Sequence, residues 1–384
     1  MSPSLRFPEF TGEWENKRIG DIGKFFSGGT PSSSRKDFYG GEIPFIRSGE
    51  IHSDKTELFL TQEGYKNSSA KMVEVGDILL ALYGANSGDI SISQMRGAIN
   101  QAILCIRTNV APVFFKSVWE KHAQKILNTY LQGGQGNLSA DIVKKITISI
   151  PSQIEQAKIA ALFSHLDERI SIQNRLIDRL QSLIKGINRT IFTGSGLEYS
   201  LCDVCEIRSG YSGNQLQGGK GLGVSRIETI SAHNINLERI GYVAPFDASE
   251  NYRLQVGDIL FSNINSVEYI GNTAFIDKDY NLYHGMNLLR LIPFRNVVVP
   301  FYLYILLNTN RMLKHFKTIC NKAVSQASIN QKELGKTIVM LPSLEKQKQV
   351  CNIYQAMYSK LKTEKDVLSF YQEQKRYLLR HMFI

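Results

Sequence analysis

The sequence predicts an α+β fold: two strand-rich α/β domains separated by two long helices that form an antiparallel coiled coil. One observation is an internal repeat, since VGDIL occurs at residues 75–79 and again at 256–260. A second is a pair of helical segments that begin after ITISIPS at 146–152 and TIVMLPS at 337–343, an offset of 191 residues. The third is the β-branched and aromatic runs, broken by Gly, Pro, Asn and Ser, that fill the rest of each half.

These observations divide the chain into four parts, related in pairs by a pseudo-twofold internal repeat. We expect a first head at residues 1–150, a first arm at 151–195, a second head at 196–341 and a second arm at 342–384. A chain of 384 residues exceeds the size at which one hydrophobic core usually keeps growing, which favours more than one domain. Short helices are predicted in equivalent places of the heads, at 113–131 and 300–320.

Composition and charge narrow the class of protein. Lys and Arg number 45 against 35 Asp and Glu, which leaves a net charge of +10 and favours polyanionic partners, nucleic acid first. The five cysteines are irregularly spaced and no apolar leader precedes them, which indicates a reduced, cytoplasmic protein. No apolar run approaches the roughly 20 residues that span a bilayer, so a membrane protein is not expected.

The arms carry a heptad pattern. Apolar residues alternate in steps of four and three, and the same register recurs in the second arm after adding 191. Polar residues interrupt both seams at equivalent places, Gln173 and Glu364. They either set the register of a helix pair or meet a side chain of a partner protein. The predicted seam consists of Phe163, Leu166, Ile170, Ile177, Leu180 and Ile184 in the first arm, and Tyr354, Met357, Leu361, Leu368, Tyr371 and Leu378 in the second.

Several motifs together resemble the specificity subunits of type I restriction-modification enzymes, over essentially the whole chain. They include FSGGTPSSSRKDFYGGEIPFIRSGEI at 26–51, VGDILLALYGANSGDISI at 75–92 and GGQGNLSADIVKKITISIPSQIEQAKIA at 133–160. The second half carries weaker versions, such as VGDILFSNIN at 256–265 and SQASINQKELGKTIVMLPSLEKQ at 325–347. The resemblance therefore rests on many motifs in the expected order.

The resemblance implies a non-catalytic protein that binds double-stranded DNA. Its heads would be target recognition domains for two unlike half-sequences, and its arms would hold the heads apart and bind two methyltransferase subunits. Restriction subunits would complete the assembly. No cofactor is expected on this chain, because S-adenosylmethionine, ATP and magnesium would be bound by the partner subunits. Arms of ~40 residues would span at most ~60 Å, one to two turns of the duplex.

Candidate DNA-binding residues lie in glycine-rich loops with hydroxyl, amide or arginine side chains, since these allow close approach to the backbone and pairing with base edges. The same residue types are also common in ordinary turns. Scattered basic residues are candidates for phosphate contacts, with none preferred over the others: Arg35, Lys36, Lys66 and Lys71 in the first head, and Lys220, Arg226 and Lys322 in the second. The candidates in the first head are Ser27, Gly28, Gly29, Thr30, Arg47, Ser48, Tyr83, Asn86, Ser87, Asn100, Gln101, Gln135 and Asn137. Those in the second are Arg208, Ser209, Tyr211, His233, Asn234, Asn263, Asn265, His284, Asn287, Ser325 and Gln326.

Other chemistry is weakly supported. Cys202 and Cys205 form a CxxC, but no second pair completes a zinc site. GNQLQGGK at 213–220 lacks the spacing of a phosphate-binding loop, and the Asn/Asp-Pro-Pro-aromatic motif of adenine methyltransferases is absent from the sequence. Asp77 and Asp258 in the two VGDIL copies are interpreted as turn residues. An enzyme acting alone and a scaffold that binds no DNA are the two competing hypotheses.

Overall fold

The computed structural model describes residues 2–131, 137–191, 196–216, 219–231, 233–322 and 326–384. The chain forms two compact units, residues 1–176 with 364–384 and residues 177–363. Each unit therefore contains one predicted head together with parts of both arms.

The first head is built on two four-stranded sheets. One is antiparallel with the strand order β2-β9-β6-β7, and the other is mixed with the order β4-β3-β8-β5. A separate pair, β1 with β10, closes the head beside the first arm. The strands are β1 Glu15–Arg18, β2 Gly23–Ser27, β3 Tyr39–Ile46, β4 Phe59–Leu60, β5 Lys71–Val73, β6 Ile78–Ala81, β7 Ile90–Ile92, β8 Gly97–Ile99, β9 Ile103–Thr108 and β10 Thr147–Ile150. The helices are α1 Gln62–Lys66, α2 Pro112–Leu131 and α3 Ala140–Lys145.

The second head repeats the antiparallel part of this plan, but in place of the mixed four-stranded sheet it has a two-stranded sheet, β13-β14, and a three-stranded sheet, β16-β20-β19. Its antiparallel sheet has the order β12-β18-β15-β17, which matches β2-β9-β6-β7, and β11 pairs with β21 as β1 pairs with β10. The strands are β11 Leu197–Ser200, β12 Cys205–Ser209, β13 Leu222–Val224, β14 Gly241–Val243, β15 Ile259–Phe261, β16 Ile264–Asn265, β17 Thr273–Phe275, β18 Leu289–Pro293, β19 Asn321–Lys322, β20 Ala327–Ser328 and β21 Ile338–Leu341. The helices are α5 Leu201–Val204, α6 Pro300–Leu307, α7 Asn310–Ile319 and α8 Gln331–Gly335.

The single helix predicted at 300–320 is wrong, because the structure has two helices there. Thr309 accepts a hydrogen bond from the backbone N–H of Met312 and so caps α7. The side chain of Asn308 turns back to donate to the carbonyl of Tyr304. Local side-chain bonds of this kind compete with continuation of a helix. In the first head the corresponding helix, α2, is continuous, as predicted.

The arms are long helices, α4 at Gln153–Ile191 and α9 at Leu344–His381. Each is anchored to a head by an equivalent glutamine near its start. Gln156 accepts a hydrogen bond from the backbone N–H of Ala111, and Gln347 accepts one from that of Val299. All twelve predicted seam residues are buried or half-buried, whereas most neighbouring positions are exposed. Each arm therefore has one apolar face along its length.

Within the first unit, α4 and α9 run antiparallel. Phe163 near the start of α4 lies beside Phe383 at the end of the chain, with ring centroids 5.4 Å apart. Farther along α4, Gln173 contacts Glu364, which lies earlier in α9. The Gln173 Nε2 donates to the Glu364 carbonyl oxygen at 2.9 Å and to its carboxylate at 2.5 Å. Both side chains are buried. The two polar seam residues thus contact each other, and a role in setting the register stays a prediction.

The end of the chain forms part of the first head's core. Phe383 packs against Trp14, Phe114 and Phe163, and it is 3% exposed. Its carbonyl oxygen accepts a hydrogen bond from Lys121, and Ile384 is bonded through its carbonyl to His122. The second arm is therefore fixed to the first head through a buried aromatic cluster.

We predict that Phe383→Ala lowers the free energy of unfolding by about 3–5 kcal/mol, because it leaves a cavity among three aromatic rings. Phe370→Ala is the matched control, since Phe370 lies on the same helix but is 67% exposed, and its effect should stay within ~0.5 kcal/mol. Urea denaturation of both variants measures the difference. Equal losses would mean that the terminal aromatic cluster does not stabilise the first unit.

Candidate nucleic-acid interface

In the first head, two parallel strands end side by side. β3 and β8 pair through Phe45 with Ala98 and Ile46 with Ile99. Arg47 and Asn100 follow these strands directly, and the Asn100 backbone N–H donates to the Ile46 carbonyl at 3.4 Å. Since carboxyl ends of parallel neighbours meet at one edge of a sheet, the two candidates occupy the same edge.

The loop after β2 joins this edge. The backbone N–H of Gly29 donates to the Ile99 carbonyl at 3.2 Å, and the Thr30 hydroxyl donates to the Gln101 side-chain oxygen at 2.5 Å. A Cβ at Gly28 would collide with the Ile99 carbonyl, which explains the glycine there. Gly29 is itself buried against Ser69, so the prediction that it touches DNA is wrong and its role is close packing. Thr30 and Gln101 are exposed.

Two further chain segments meet at the same edge. The Leu82 backbone N–H donates to the Ala102 carbonyl, and the Leu138 N–H donates to the Leu82 carbonyl at 3.0 Å. These bonds bring Tyr83 and Asn137 next to Gln101, and both are exposed. The Asn86 amide lies 3.5 Å from where a Cβ of Gly49 would stand, beside Ser48. The described candidates of the first head other than Gly29 therefore lie at one edge, and we call them the first-head patch: residues 27, 28, 30, 47, 48, 83, 86, 87, 100, 101 and 137.

Some of these side chains also support their own loops. Ser87 donates to the Leu82 carbonyl, and the Asn100 side chain accepts from the Ala102 N–H. Gln135 lies outside the described residues, as does Ser325 of the second head.

Arg47 is fixed by carboxylates. Its Nε and Nη2 donate to the two oxygens of Glu50 at 3.1 and 3.0 Å, and Nη2 also donates to Glu57 at 2.7 Å. Glu50 accepts further bonds from the Thr56 hydroxyl and from the backbone of Glu57. Partial burial raises the pKa of Glu50, but the bonds from Arg47 and the backbone outweigh it and lower the pKa to about 2. Glu50 is therefore ionised at neutral pH.

The second head has an equivalent edge. The Tyr211 backbone N–H donates to the His284 carbonyl, and a Cβ at Gly210 would collide with the carbonyl of Gly285. Ile329 donates to the Asn263 carbonyl at 2.8 Å, as Leu138 does to Leu82. Asn265 pairs with Ala327, which brings Gln326 close. Arg208 and Ser209 are exposed at the end of β12.

One candidate of the second head is corrected and two have local structural roles. His284 is 1% exposed, its Nε2 bonds to the Leu288 carbonyl, and burial lowers its pKa to about 4. It is therefore a neutral interior residue, and its prediction as a DNA contact is wrong. Asn287 is exposed with a φ of 65°, a conformation that asparagine tolerates. Tyr211 stacks on Phe246 with ring centroids 3.6 Å apart.

His233 and Asn234 lie on an exposed turn beside α6. The His233 carbonyl accepts a hydrogen bond from the Tyr304 hydroxyl. This contact joins the turn to the helical side of the second head, and among the residues that the structure describes no hydrogen bond joins His233 or Asn234 to Ser209 or Asn263.

The structure places Arg226 at the position equivalent to Arg47, although the sequence predicted it only as a phosphate contact. Arg226 precedes a short 3-10 helix, as Arg47 does, and Val224 pairs in parallel with Tyr283 as Phe45 pairs with Ala98. Aligning IRSGEI at 46–51 with SRIETI at 225–230 would have revealed the match. Arg226 has no bidentate carboxylate partner among the described residues; its Nε lies 3.6 Å from Glu228.

The acidic and cysteine motifs have structural explanations. Asp77 pairs with Arg107 at 2.7 Å and Asp258 with the buried Arg290 at 2.6 Å, so both VGDIL carboxylates hold neighbouring strands together. Burial raises the pKa of the Cys205 thiol to about 12, and Cys202 is exposed. Within the described ranges, no three His, Cys, Asp or Glu side chains are placed to hold a metal ion.

None of the described helices is both long enough and apolar enough to cross a membrane.

Comparison with solved structures supports the fold. The chain matches the type I restriction-modification system S subunit from M. genitalium over 100% of this chain and 99% of that one, with a TM-score of 0.66 and 16% identity.

Curated relatives carry related names. The putative type I restriction enzyme MjaX specificity subunit of Methanocaldococcus jannaschii is 38% identical over 187 residues, which cover 48% of this chain and 44% of that protein. The chain thus spans less than half the length of this relative. The MjaVIII specificity subunit of the same organism is 24% identical across 97% of this chain and 90% of its own.

The family assignment rests on two matched regions. Residues 11–182 and 197–369 each match the family described as the type I restriction modification DNA specificity domain, and together they cover most of the chain. The chain therefore belongs to the type I restriction-modification DNA specificity family, with two copies of the domain.

Proposed function

We propose that this chain is a non-catalytic subunit that binds double-stranded DNA at two unlike half-sequences separated by a fixed gap. Each head reads one half. The arms dock two methyltransferase subunits, and restriction subunits join the complex. S-adenosylmethionine, ATP and magnesium belong to those partners, and the assembly acts in the cytoplasm as an adenine methyltransferase and ATP-dependent endonuclease.

The observation that carries the proposal is the first-head patch. Hydroxyl, amide and arginine side chains from five separate chain segments meet at one edge of the first head; Thr30, Tyr83, Gln101 and Asn137 are exposed, and the others are half-buried. Such groups supply the donors and acceptors that distinguish base pairs in the major groove. The family assignment adds that the domain type is a DNA specificity domain.

Differences between the equivalent edges support two unlike half-sequences. The shared parallel pairing aligns Ala98 with Tyr283, so Asn100 and Gln101 correspond to Gly285 and Met286. An amide pair that suits adenine is thus replaced by a glycine and a thioether. Heads that present different donors at the same place are expected to read different bases.

Exposed apolar side chains support docking on the arms. Long helices that serve only as spacers gain nothing from exposed aromatic groups, whereas apolar patches are typical of protein interfaces. The exposed apolar residues of the arms include Ile154, Ile172 and Leu183 on α4, and Ile353, Tyr358, Phe370 and Tyr377 on α9.

Methylome sequencing tests the proposal. Cells that express this chain with its cognate methyltransferase subunit should gain one new adenine-methylated motif with two different halves and a fixed gap. Cells that express the methyltransferase subunit alone are the control and should lack it. Association of the two proteins without any new motif would favour the scaffold hypothesis instead.

A second prediction concerns the gap. Deleting 174–180 and 357–363 together removes one heptad from each helix and keeps Gln173 opposite Glu364. The helices shorten by ~10 Å, so the tolerated gap should shrink by about three base pairs while both half-sequences stay unchanged. The same methylome measurement reports the new motif.

The control is deletion of 174–180 alone. The apolar seams keep their heptad phase, but the pairings beyond Gln173 are offset by one heptad and the two helices no longer have matching lengths, so the complex is expected to lose methylation. Altered half-sequences in the paired deletion would show that the arms do not set the gap.

A further inference from the structure

Two carboxylates bind the Arg47 guanidinium on different edges, and one of them binds it through more hydrogen bonds than the other. Glu50 takes the Nε/Nη2 edge with both oxygens, and its side chain is only 15% exposed. Glu57 takes the remaining Nη2 hydrogen, and its side chain is 83% exposed. Among the described residues, none accepts a hydrogen bond from Nη1. The end of the guanidinium that faces Glu57 is therefore the part that can be released.

Glu50 is held far more firmly than Glu57. It accepts bonds from the Arg47 backbone, the Thr56 hydroxyl and the Glu57 backbone, besides the two from the guanidinium. Thr56 is itself bonded to the Phe45 carbonyl on β3. Glu50 thus connects the guanidinium to the strand that ends at the first-head patch, whereas an exposed pair such as Arg47 with Glu57 contributes little.

The charges of this group favour a base edge over a phosphate. One arginine with two carboxylates carries a net negative charge, which repels the DNA backbone. Guanine O6 and N7 are neutral acceptors, and a guanidinium pairs with them end-on through one hydrogen from Nη1 and one from Nη2. Nη1 is open, and the Nη2 hydrogen is the one that Glu57 occupies.

We propose that Arg47 reads a guanine in the half-sequence of the first head, that Glu50 positions its guanidinium, and that Glu57 occupies the guanine-binding edge until DNA displaces it. The inference rests on the proposed function and deepens it. Glu50 and Glu57 then have opposite effects on recognition although they carry the same charge.

The second head provides an internal comparison. Arg226 occupies the equivalent place, but the residue corresponding to Glu50 is Thr229, whose hydroxyl accepts only the Arg226 backbone N–H. The Arg226 side chain is therefore not fixed by a carboxylate as Arg47 is. This difference assigns the guanine-reading role to Arg47 and makes Arg226→Ala a control for loss of an arginine at the same structural position.

The experiment measures binding of the complete complex with its methyltransferase subunits to duplexes that carry the motif or a single changed pair at each position. Glu57→Gln should tighten binding to the motif by roughly two- to fivefold, with discrimination unchanged. Glu50→Gln should reduce discrimination at one G·C pair by roughly tenfold. Because both variants remove one negative charge, a purely electrostatic effect would strengthen binding in both.

Arg47→Lys keeps the positive charge but removes the planar guanidinium with its paired N–H donors, so it should lose discrimination at the same G·C pair. This variant tests the inference even if Glu50→Gln fails to fold. Arg226→Ala should leave that pair's discrimination intact. Equal responses of the two glutamate variants, or a loss in Arg47→Lys spread over all positions, would overturn the inference and leave the proposed function standing. A wild-type complex that selects no split motif would instead refute the proposed function.

Discussion

The contact between Gln173 and Glu364 is the constraint on which the helical part of the structure depends. The two residues are related by the 191-residue repeat and also touch each other, so the local axis that relates the two helices passes between them. Within the first unit, the ring contact of Phe163 with Phe383 belongs to the same antiparallel arrangement. A buried carboxylate that meets an amide also makes alternative registers costly, because a shifted helix would place it against apolar seam residues.

In the first head as well, a small number of contacts sets the arrangement of the chain. A short parallel pair within a mixed sheet brings two strand ends to one edge, and loops from three other segments join it by single backbone bonds. Under the proposed function, affinity and sequence choice would be carried by side chains on these loops, while the strands below hold the loops in place. Gly28 belongs to this support, since its missing side chain lets one loop approach the neighbouring strand closely.

The two heads share the order of their antiparallel sheet but differ in electrostatics. Asp258 and Arg290 form a buried pair in the second head, whereas the equivalent Asp77 pairs with the half-exposed Arg107. Arg47 is held by Glu50, and Arg226 has a threonine in that place. The two heads therefore share their antiparallel strand pairing, while the charged groups at their equivalent edges differ.

Repetition and periodicity in the sequence determined the order of the four parts (head, arm, head, arm) and the helical spacing of the seam residues. The repeated motifs also indicated the family. These features are local or depend on an offset, so they can be read without coordinates. Only the tertiary structure decided which candidates share a surface, because residues far apart such as Thr30 and Gln101 meet through strand pairing. It also decided that His284 and Gly29 are interior, since a turn-like sequence does not reveal which side of the turn is solvated. The partners of Arg47 came from the fold as well, because a charge in a sequence does not state whether a carboxylate, a phosphate or a base will face it.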